Sequence, residues 1–262
     1  MPFPDLPPPP TDLPLLEGGE DVGPKMTLME HLLELRNRLI KIVLALVIAT
    51  TLSFIFVDYL IDVLTQPIGG RQNLIAIEVT ENFGVFMRVS LLSGVIIAMP
   101  IMVYQVLRFI VPGLTQRERR YLWIVLPGTT VLFLAGACFA YFVMLPVALP
   151  FLTSFLGIKT EVRPSNYFSF LTRLMFWIGL SFETPLIIAF LARVGVLSPQ
   201  TLTSKRKYAI VINAVVAAVI TPTVDPLNMM LVMVPLCILY EIGVFLARMV
   251  YHPRYRASSS GS

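Results

Sequence analysis

Charged side chains are scarce in this sequence, and four long stretches contain none at all. Only 14% of the residues are Asp, Glu, Lys or Arg, against about 25% in a typical soluble domain. Because a helix that crosses a bilayer needs about 20 mostly apolar residues, this pattern excludes a soluble globular protein. It predicts an all-α integral membrane protein. The uncharged stretches are residues 42–57, 89–107, 121–158 and 208–224.

The residues that most enzymes need for chemistry are also few. The two histidines, His31 and His252, lie outside the apolar stretches, which argues against a histidine-activated serine protease within the membrane. The sequence contains no phosphate-binding glycine motif and no metal-ligand spacing. The two cysteines, Cys138 and Cys237, lie in apolar runs and are interpreted as small hydrophobic residues. We therefore expect no enzyme activity, no cofactor and no metal.

The two ends of the chain differ in composition from its middle. Residues 1–26 contain the run Pro7–Pro10 and five acidic residues, and they lack the basic start and apolar stretch of a signal peptide. We predict a disordered, acidic, Pro-rich tail over residues 1–26. A six-helix transmembrane domain is predicted over residues 27–250 and a C-terminal tail over residues 251–262.

Six apolar segments have the length and the flanking residues of membrane-spanning helices. The cap pattern of Thr27–Glu30 predicts an amphipathic entry helix that lies at the membrane surface and runs into the first span. Residues 58–82 are expected to form a loop, and Pro146 and Pro150 are expected to interrupt the apolar stretch after the third span. The predicted spans are residues 39–57, 83–105, 121–142, 168–192, a short fifth span of about 15–17 residues between Lys207 and Thr221, and residues 226–247.

Basic residues are distributed unequally between the two sides that six spans would create. Fifteen Lys and Arg residues fall on the side of both termini, and five fall on or near the other side. Because cytoplasmic loops are enriched in Lys and Arg, we predict that both termini are cytoplasmic. The expected location is the inner (cytoplasmic) membrane. The same rule accounts for the basic loops, so no nucleic-acid partner is expected.

Two glutamates, Glu183 and Glu241, lie inside predicted spans. An ionised carboxylate there costs at least a few kcal/mol. Each residue could be a hydrogen-bonded contact between helices or part of a polar cavity or ion path. For Glu183, which precedes Pro185 near the middle of its span, the functional interpretation is favoured. For Glu241, near the end of its span, the two interpretations are equally supported.

Two further acids, Glu34 and Glu118, lie among basic residues at the predicted cytoplasmic interface. The local pattern predicts an ion pair between Glu34 and Arg38 at spacing i,i+4. It also predicts a capping box between Thr115 and Glu118. By pattern alone, Phe109 would be an ordinary aromatic residue of the interface.

The segments around these residues resemble TatC, the core membrane subunit of the twin-arginine protein translocase. The resemblance begins with the motif His31–Leu39 and covers about residues 26–250. Its specificity comes from an ordered set of short motifs on a six-span scaffold. The later motifs are Tyr104–Phe109 with Pro112, Glu118–Arg120, Phe139–Phe142, Ser181–Pro185, Thr221–Pro222 and Glu241–Phe245.

The resemblance implies a function and a set of site residues. The family receives folded cargo whose signal peptide carries two adjacent arginines, and it exports that cargo with the proton-motive force. The implied signal-peptide-binding residues are Glu34, Glu118, Phe109 and Arg36, and the family's glutamate in the fourth span corresponds to Glu183. TatA-like and TatB-like single-span subunits are the implied partners, in an oligomeric complex within the bilayer.

A proton- or cation-coupled secondary transporter is the alternative function. Its binding groups would be the glutamates within the spans, Glu183 and Glu241. Against it, the sequence shows no inverted repeat and no paired broken helices. The two functions differ in where a substitution should be most damaging. A receptor depends on cytoplasmic Glu34 and Glu118, whereas a transporter depends on the acids within the spans.

Overall fold

Helices make up nearly all of the regular structure in the computed structural model of the chain. The model describes residues 28–110, 116–154, 161–221 and 226–251, and it describes only the backbone at positions 28, 110, 116–125, 154 and 227. In this part of the chain the β structure is one parallel bridge between Leu74 and Val162. The helices are α1 (Leu28–Ser53), α2 (Val57–Thr65), α3 (Glu81–Ile110), α4 (Gln116–Phe139), α5 (Leu145–Ser154), α6 (Pro164–Phe182), α7 (Thr184–Arg193), α8 (Pro199–Ser204), α9 (Arg206–Ile220) and α10 (Pro226–Val250).

Several of these helices are long and apolar enough to cross a bilayer. In the described residues four segments qualify, and a fifth crossing results if α1 and α2, whose axes differ by 77°, count as one broken span. Helix α9 has 15 residues and is about 22 Å long, shorter than the roughly 30 Å of the hydrocarbon core. The chain is thus an all-α, multi-pass membrane protein, whereas six spans with cytoplasmic termini stay a prediction. The four segments are Glu81–Phe109, Leu126–Thr153, Pro164–Arg193 and Asn228–Val250.

The predicted entry helix runs into the helix of the predicted first span, because α1 is uninterrupted from Leu28 to Ser53. The helix axis bends after Ser53, and the next residues form α2 where a loop was expected. Tertiary contacts stabilise α2, because Tyr141 and Tyr167 donate hydrogen bonds to the carbonyls of Val63 and Leu64 at 2.5 and 2.6 Å. The prediction of a loop was therefore wrong for residues 58–65.

The predicted interruption at Pro146 and Pro150 is also wrong. Helix α5 contains both prolines, and a five-residue π-helical segment, Ala140–Met144, joins it to α4. A π segment changes the register of the backbone hydrogen bonds, so the helix continues past residues that cannot donate one. The apolar segment Leu126–Thr153 consequently counts as a single span candidate.

Close backbone approaches hold the helices together. Helix α1 packs along α3, α4 packs along α6, and α7 packs along α10. A Cβ atom on Gly94 would lie 2.8 Å from the Cα of Thr50, and one on Gly136 would lie 2.8 Å from the Cα of Gly179. Small residues at these crossings let helix backbones approach closely, as is typical of membrane helix pairs. The bundle has a Leu28 end, where α1 begins, and an opposite Leu74 end, where the β bridge lies.

Replacing Tyr167 by Phe should destabilise the protein by about 1–3 kcal/mol, because a buried carbonyl would lose its donor. The Tyr167 side chain is buried, and its hydroxyl contacts the carbonyl of Leu64 at the end of α2. Thermal unfolding in detergent measures the effect. Tyr59→Phe is the control, since Tyr59 lies on the same α2 helix with 70% of its surface exposed. Equal melting temperatures for the two variants would contradict this role of Tyr167.

Candidate functional site

A polar cluster lies between α1 and α3 near the Leu28 end. The carboxylate of Glu34 accepts a hydrogen bond from Arg38 Nη2 at 2.9 Å, which confirms the predicted ion pair. Arg38 Nη1 donates to Oε1 of Gln105 at 3.2 Å, so the pair is anchored to α3. The side chains of Arg38 and Glu34 are only 14% and 16% exposed. We refer to Glu34, Arg38 and Gln105 as the Glu34 cluster.

An aromatic contact lies beside this cluster. The rings of His31 and Phe109 stack with their centroids 4.4 Å apart. His31 precedes Glu34 by three residues on α1, and Phe109 lies one turn beyond Gln105 on α3. The structure thus brings Phe109 close to Glu34, as the predicted site requires. Arg36, which is exposed on α1, has no ion pair with the described residues.

One oxygen of Glu34 is not used by the cluster. Oε1 accepts from Arg38, whereas Oε2 is buried and has no hydrogen-bond partner among the residues that the structure describes. A carboxylate can accept about four hydrogen bonds, so Glu34 keeps acceptor capacity for a second guanidinium. The local ion pair and a binding role are therefore compatible.

The second predicted carboxylate, Glu118, lies in the first part of α4. Its side chain and the preceding Thr115 fall outside the described residues, and so does the predicted capping box. The role of Glu118 beside Glu34 therefore stays a prediction.

Glu183 lies at the junction between α6 and α7. Helix α6 ends at Phe182 and α7 begins at Thr184, with Pro185 in its first turn. Glu183 is 3% exposed, and among the described residues neither of its carboxylate oxygens has a hydrogen-bond partner of standard geometry. This carboxyl group is therefore enclosed by the bundle, where an uncompensated charge is costly.

Glu241 has a different environment from Glu183. It lies on α10 with about half of its side chain exposed, and its Oε2 accepts a hydrogen bond from Arg206 Nη2 at 2.7 Å. Arg206 is the first residue of α9, so the ion pair joins two neighbouring helices near the Leu28 end. This geometry favours the structural interpretation of Glu241.

At the Leu74 end, an ionic cluster that the sequence analysis did not predict joins two connecting segments. Arg163 donates to both Glu78 and Glu81, with Nε 2.9 Å from Oε1 of Glu81. These hydrogen bonds raise the pKa of the Arg163 guanidinium above its usual range. The β bridge between Leu74 and Val162 lies beside them. No sequence motif indicates the ion pairs, because about 80 residues separate the partners.

Comparison with known proteins gives one consistent result. Residues 30–235 match the family described as Sec-independent protein translocase protein (TatC). The chain is 39% identical over 231 residues to TatC of Aquifex aeolicus, covering 86% of this chain and 95% of the relative. It is 35% identical over 228 residues to TatC of Carboxydothermus hydrogenoformans, covering 86% and 94%.

A solved structure shows the same fold. The crystal structure of a twin-arginine translocase receptor, TatC, matches the chain with a TM-score of 0.75 and 38% sequence identity. The match covers 84% of this chain and 99% of the crystallised one. A second crystal structure of the receptor, in detergent, gives a TM-score of 0.77.

Proposed function

The chain belongs to the TatC family of Sec-independent protein translocase components, and we propose that it uses the Glu34 cluster to bind twin-arginine signal peptides. Both termini and this cluster would then face the cytoplasm, where unexported cargo is found. The membrane would be the inner (cytoplasmic) membrane, and the proton-motive force would drive transport. The function is export of folded proteins, with no chemical step catalysed by this chain.

The observation that carries this proposal is the free acceptor oxygen of Glu34. Arg38 and Gln105 fix the carboxylate from one side, so a guanidinium that reaches the buried Oε2 meets an oriented acceptor. Arginine binds carboxylates through two parallel hydrogen bonds, and two adjacent arginines need two acids. Glu118 is the second acid of the proposal. Phe109, held by His31, offers an aromatic face for cation–π contact with a guanidinium.

Partner subunits would dock on the later helices. Helix α9 exposes an apolar face, and its shortness favours helices with short apolar segments. We propose TatA-like and TatB-like single-span subunits as occupants of this surface, in an oligomeric complex. The exposed apolar residues of α9 are Ile210, Val211, Ile212, Val215 and Val219.

A site-specific photocrosslink tests the proposed receptor function. A photoreactive residue at position 37, exposed on α1 three residues after Glu34 and therefore on the same side of the helix, should crosslink to a twin-arginine signal peptide. The same residue at position 73, exposed near the Leu74 end, is the matched control and should give no crosslink. A peptide with two lysines should compete weakly. A crosslink at position 73 but not at 37 would contradict the proposal.

Labelling with a membrane-impermeant thiol reagent should establish the orientation. After Cys138 and Cys237 are replaced, Asn73→Cys should react from outside intact cells. Gln200→Cys should react only after the cells are opened, because the Leu28 end is predicted to be cytoplasmic. Both positions are exposed, so the difference reports the side of the membrane. Labelling of position 200 in intact cells would rule out six spans with cytoplasmic termini.

A further inference from the structure

Two arginines, Arg88 and Arg173, line one groove between α1, α3 and α6. The groove has a volume of about 420 Å³, and both arginine side chains are exposed. Arg88 lies seven residues into α3 and Arg173 nine residues into α6. At 1.5 Å per residue, their Cα atoms lie roughly 10 and 14 Å from the starts of these helices at the Leu74 end. These positions place two cations within the depth of one leaflet.

The recorded contacts of the two arginines are all with neutral groups. Arg88 Nη1 donates to the carbonyl of Ser165 at 3.0 Å. Arg173 donates to the carbonyl of Val219 at 3.4 Å and contacts the hydroxyl of Ser169 at 3.5 Å. Within the described part of the chain, no carboxylate pairs with either arginine. The two cations therefore share a groove without a protein counter-ion there.

Four of the five acids described near the Leu74 end are paired with other basic residues, and the fifth, Glu161, lines a neighbouring cavity with Arg173 but makes no ion pair with either arginine of the groove. Glu78 and Glu81 are paired with Arg163. A neighbouring basic residue, Arg71, is paired with Asp58 and Asp62. No described acid therefore supplies a countercharge to Arg88 or Arg173 in this structure.

Apart from Ser169 and Thr172, which lie beside Arg173 on α6, the rest of the groove is apolar. From the arginines towards the middle of the bundle, it is lined by Leu46, Leu92, Val95 and Trp177. A cationic region followed by an apolar channel matches a phospholipid, with a phosphate at one end and an acyl chain at the other. Guanidinium groups bind phosphate through paired hydrogen bonds.

The short α9 helix explains how a lipid phosphate can reach the depth of Arg88 and Arg173 in the membrane. Arg173 donates a hydrogen bond to the carbonyl of Val219, which is the penultimate residue of α9. Since α9 is about 8 Å shorter than the hydrocarbon core, the bilayer surface should be drawn inwards beside it. We propose that Arg88 and Arg173 bind the phosphate of an anionic phospholipid in the leaflet at the Leu74 end, with its acyl chain lying along Trp177.

Fluorescence of Trp177 tests this site directly. The chain has two tryptophans, Trp123 and Trp177, so Trp123→Phe leaves one reporter in the groove. The full chain is reconstituted in phosphatidylcholine bilayers, and lipids with brominated chains are added as quenchers. Brominated phosphatidylglycerol should quench Trp177 at lower mole fraction than brominated phosphatidylcholine. With about 1 kcal/mol for each basic residue near a membrane surface, the preference should be about thirtyfold.

Substitutions identify the residues responsible. Arg88→Gln and Arg173→Gln should each reduce the preference about fivefold, and the double variant should abolish it. Arg71→Gln is the matched control near the same end and should leave it unchanged. Thermal unfolding confirms that each variant is folded, and the assay involves no signal peptide, so its outcome is independent of the proposed receptor function.

Three results would overturn the lipid assignment. The first is equal quenching by the two lipids in the parent protein, and the second is an unchanged preference in the double variant. The third is a preference that disappears when a single-span subunit with an acid in its membrane segment is reconstituted together with the chain. This third result would assign the arginines to the carboxylate of a partner helix.

Discussion

Combined replacement of Glu34 and Glu118 by alanine is expected to abolish the preference for arginine over lysine in the signal peptide. A hydrogen bond to a charged group contributes roughly 1.5–3 kcal/mol, so each single replacement should weaken peptide binding by about 10- to 150-fold. Lysine cannot make the two parallel hydrogen bonds of a guanidinium. Titration of purified protein with labelled paired-arginine and paired-lysine peptides measures both affinities.

The same experiment has a built-in test of net charge. Glu30 is an exposed acid on α1, one turn before Glu34, and Glu30→Ala removes the same charge outside the Glu34 cluster. That variant should bind the paired-arginine peptide nearly as well as the parent protein. Folding should survive in the Glu34 variant, because Arg38 keeps its hydrogen bond to Gln105. If the double variant still distinguishes the two peptides, the arginines bind elsewhere.

Replacing Glu183 by leucine should stabilise the protein and impair transport. Its carboxyl group is buried without a hydrogen-bond partner of standard geometry among the described residues. Leaving a buried polar group unpaired costs about 1–3 kcal/mol, and leucine removes that cost. A residue that lowers stability in this way is best explained by a role in function. We expect Glu183→Leu to unfold at a higher temperature while export of a folded reporter falls to a small fraction of normal.

Two companion variants separate the possible explanations. Glu183→Gln keeps the shape and the hydrogen-bonding groups, so it should retain more export than Glu183→Leu. Glu241→Gln removes the acid that is paired with Arg206 and should have the smaller effect on export. Export of the reporter into inverted membrane vesicles gives the comparison. Normal export by Glu183→Leu would show that the acid is incidental.

The parts of the fold that local chemistry determines were predictable. Ser198 caps α8 through its hydroxyl, which accepts from the backbone of Thr201 at 3.1 Å, and Pro226 begins α10 as the proline rule predicts. The prediction failed where distant residues decide the structure. Helix α2 depends on hydroxyl groups from Tyr141 and Tyr167, which no local pattern in residues 58–65 could indicate.

In the candidate site, too, the contacts between nearby residues were predictable from the sequence and the contacts between distant residues were not. The pair between Glu34 and Arg38 follows from spacing on one helix, and the structure contains it. Its anchoring by Gln105 depends on the packing of α1 against α3, across 67 residues of sequence. The enclosure of Glu183 likewise depends on close helix packing. Gly243 of α10 approaches the Pro185 backbone so closely that an added Cβ would lie 3.2 Å from its Cα.

The ionic cluster around Arg163 has a consequence for how the chain is made. Glu81 is almost fully buried, and its cationic partner is synthesised 82 residues later. At 5–20 residues per second, the ribosome needs roughly 4–16 s to supply Arg163 after Glu81. During that interval the first connection at the Leu74 end has neither its ion pair nor its β bridge. Helices α1 and α3 can pack together before then, but the first connection reaches its final structure only after the second connection has been made.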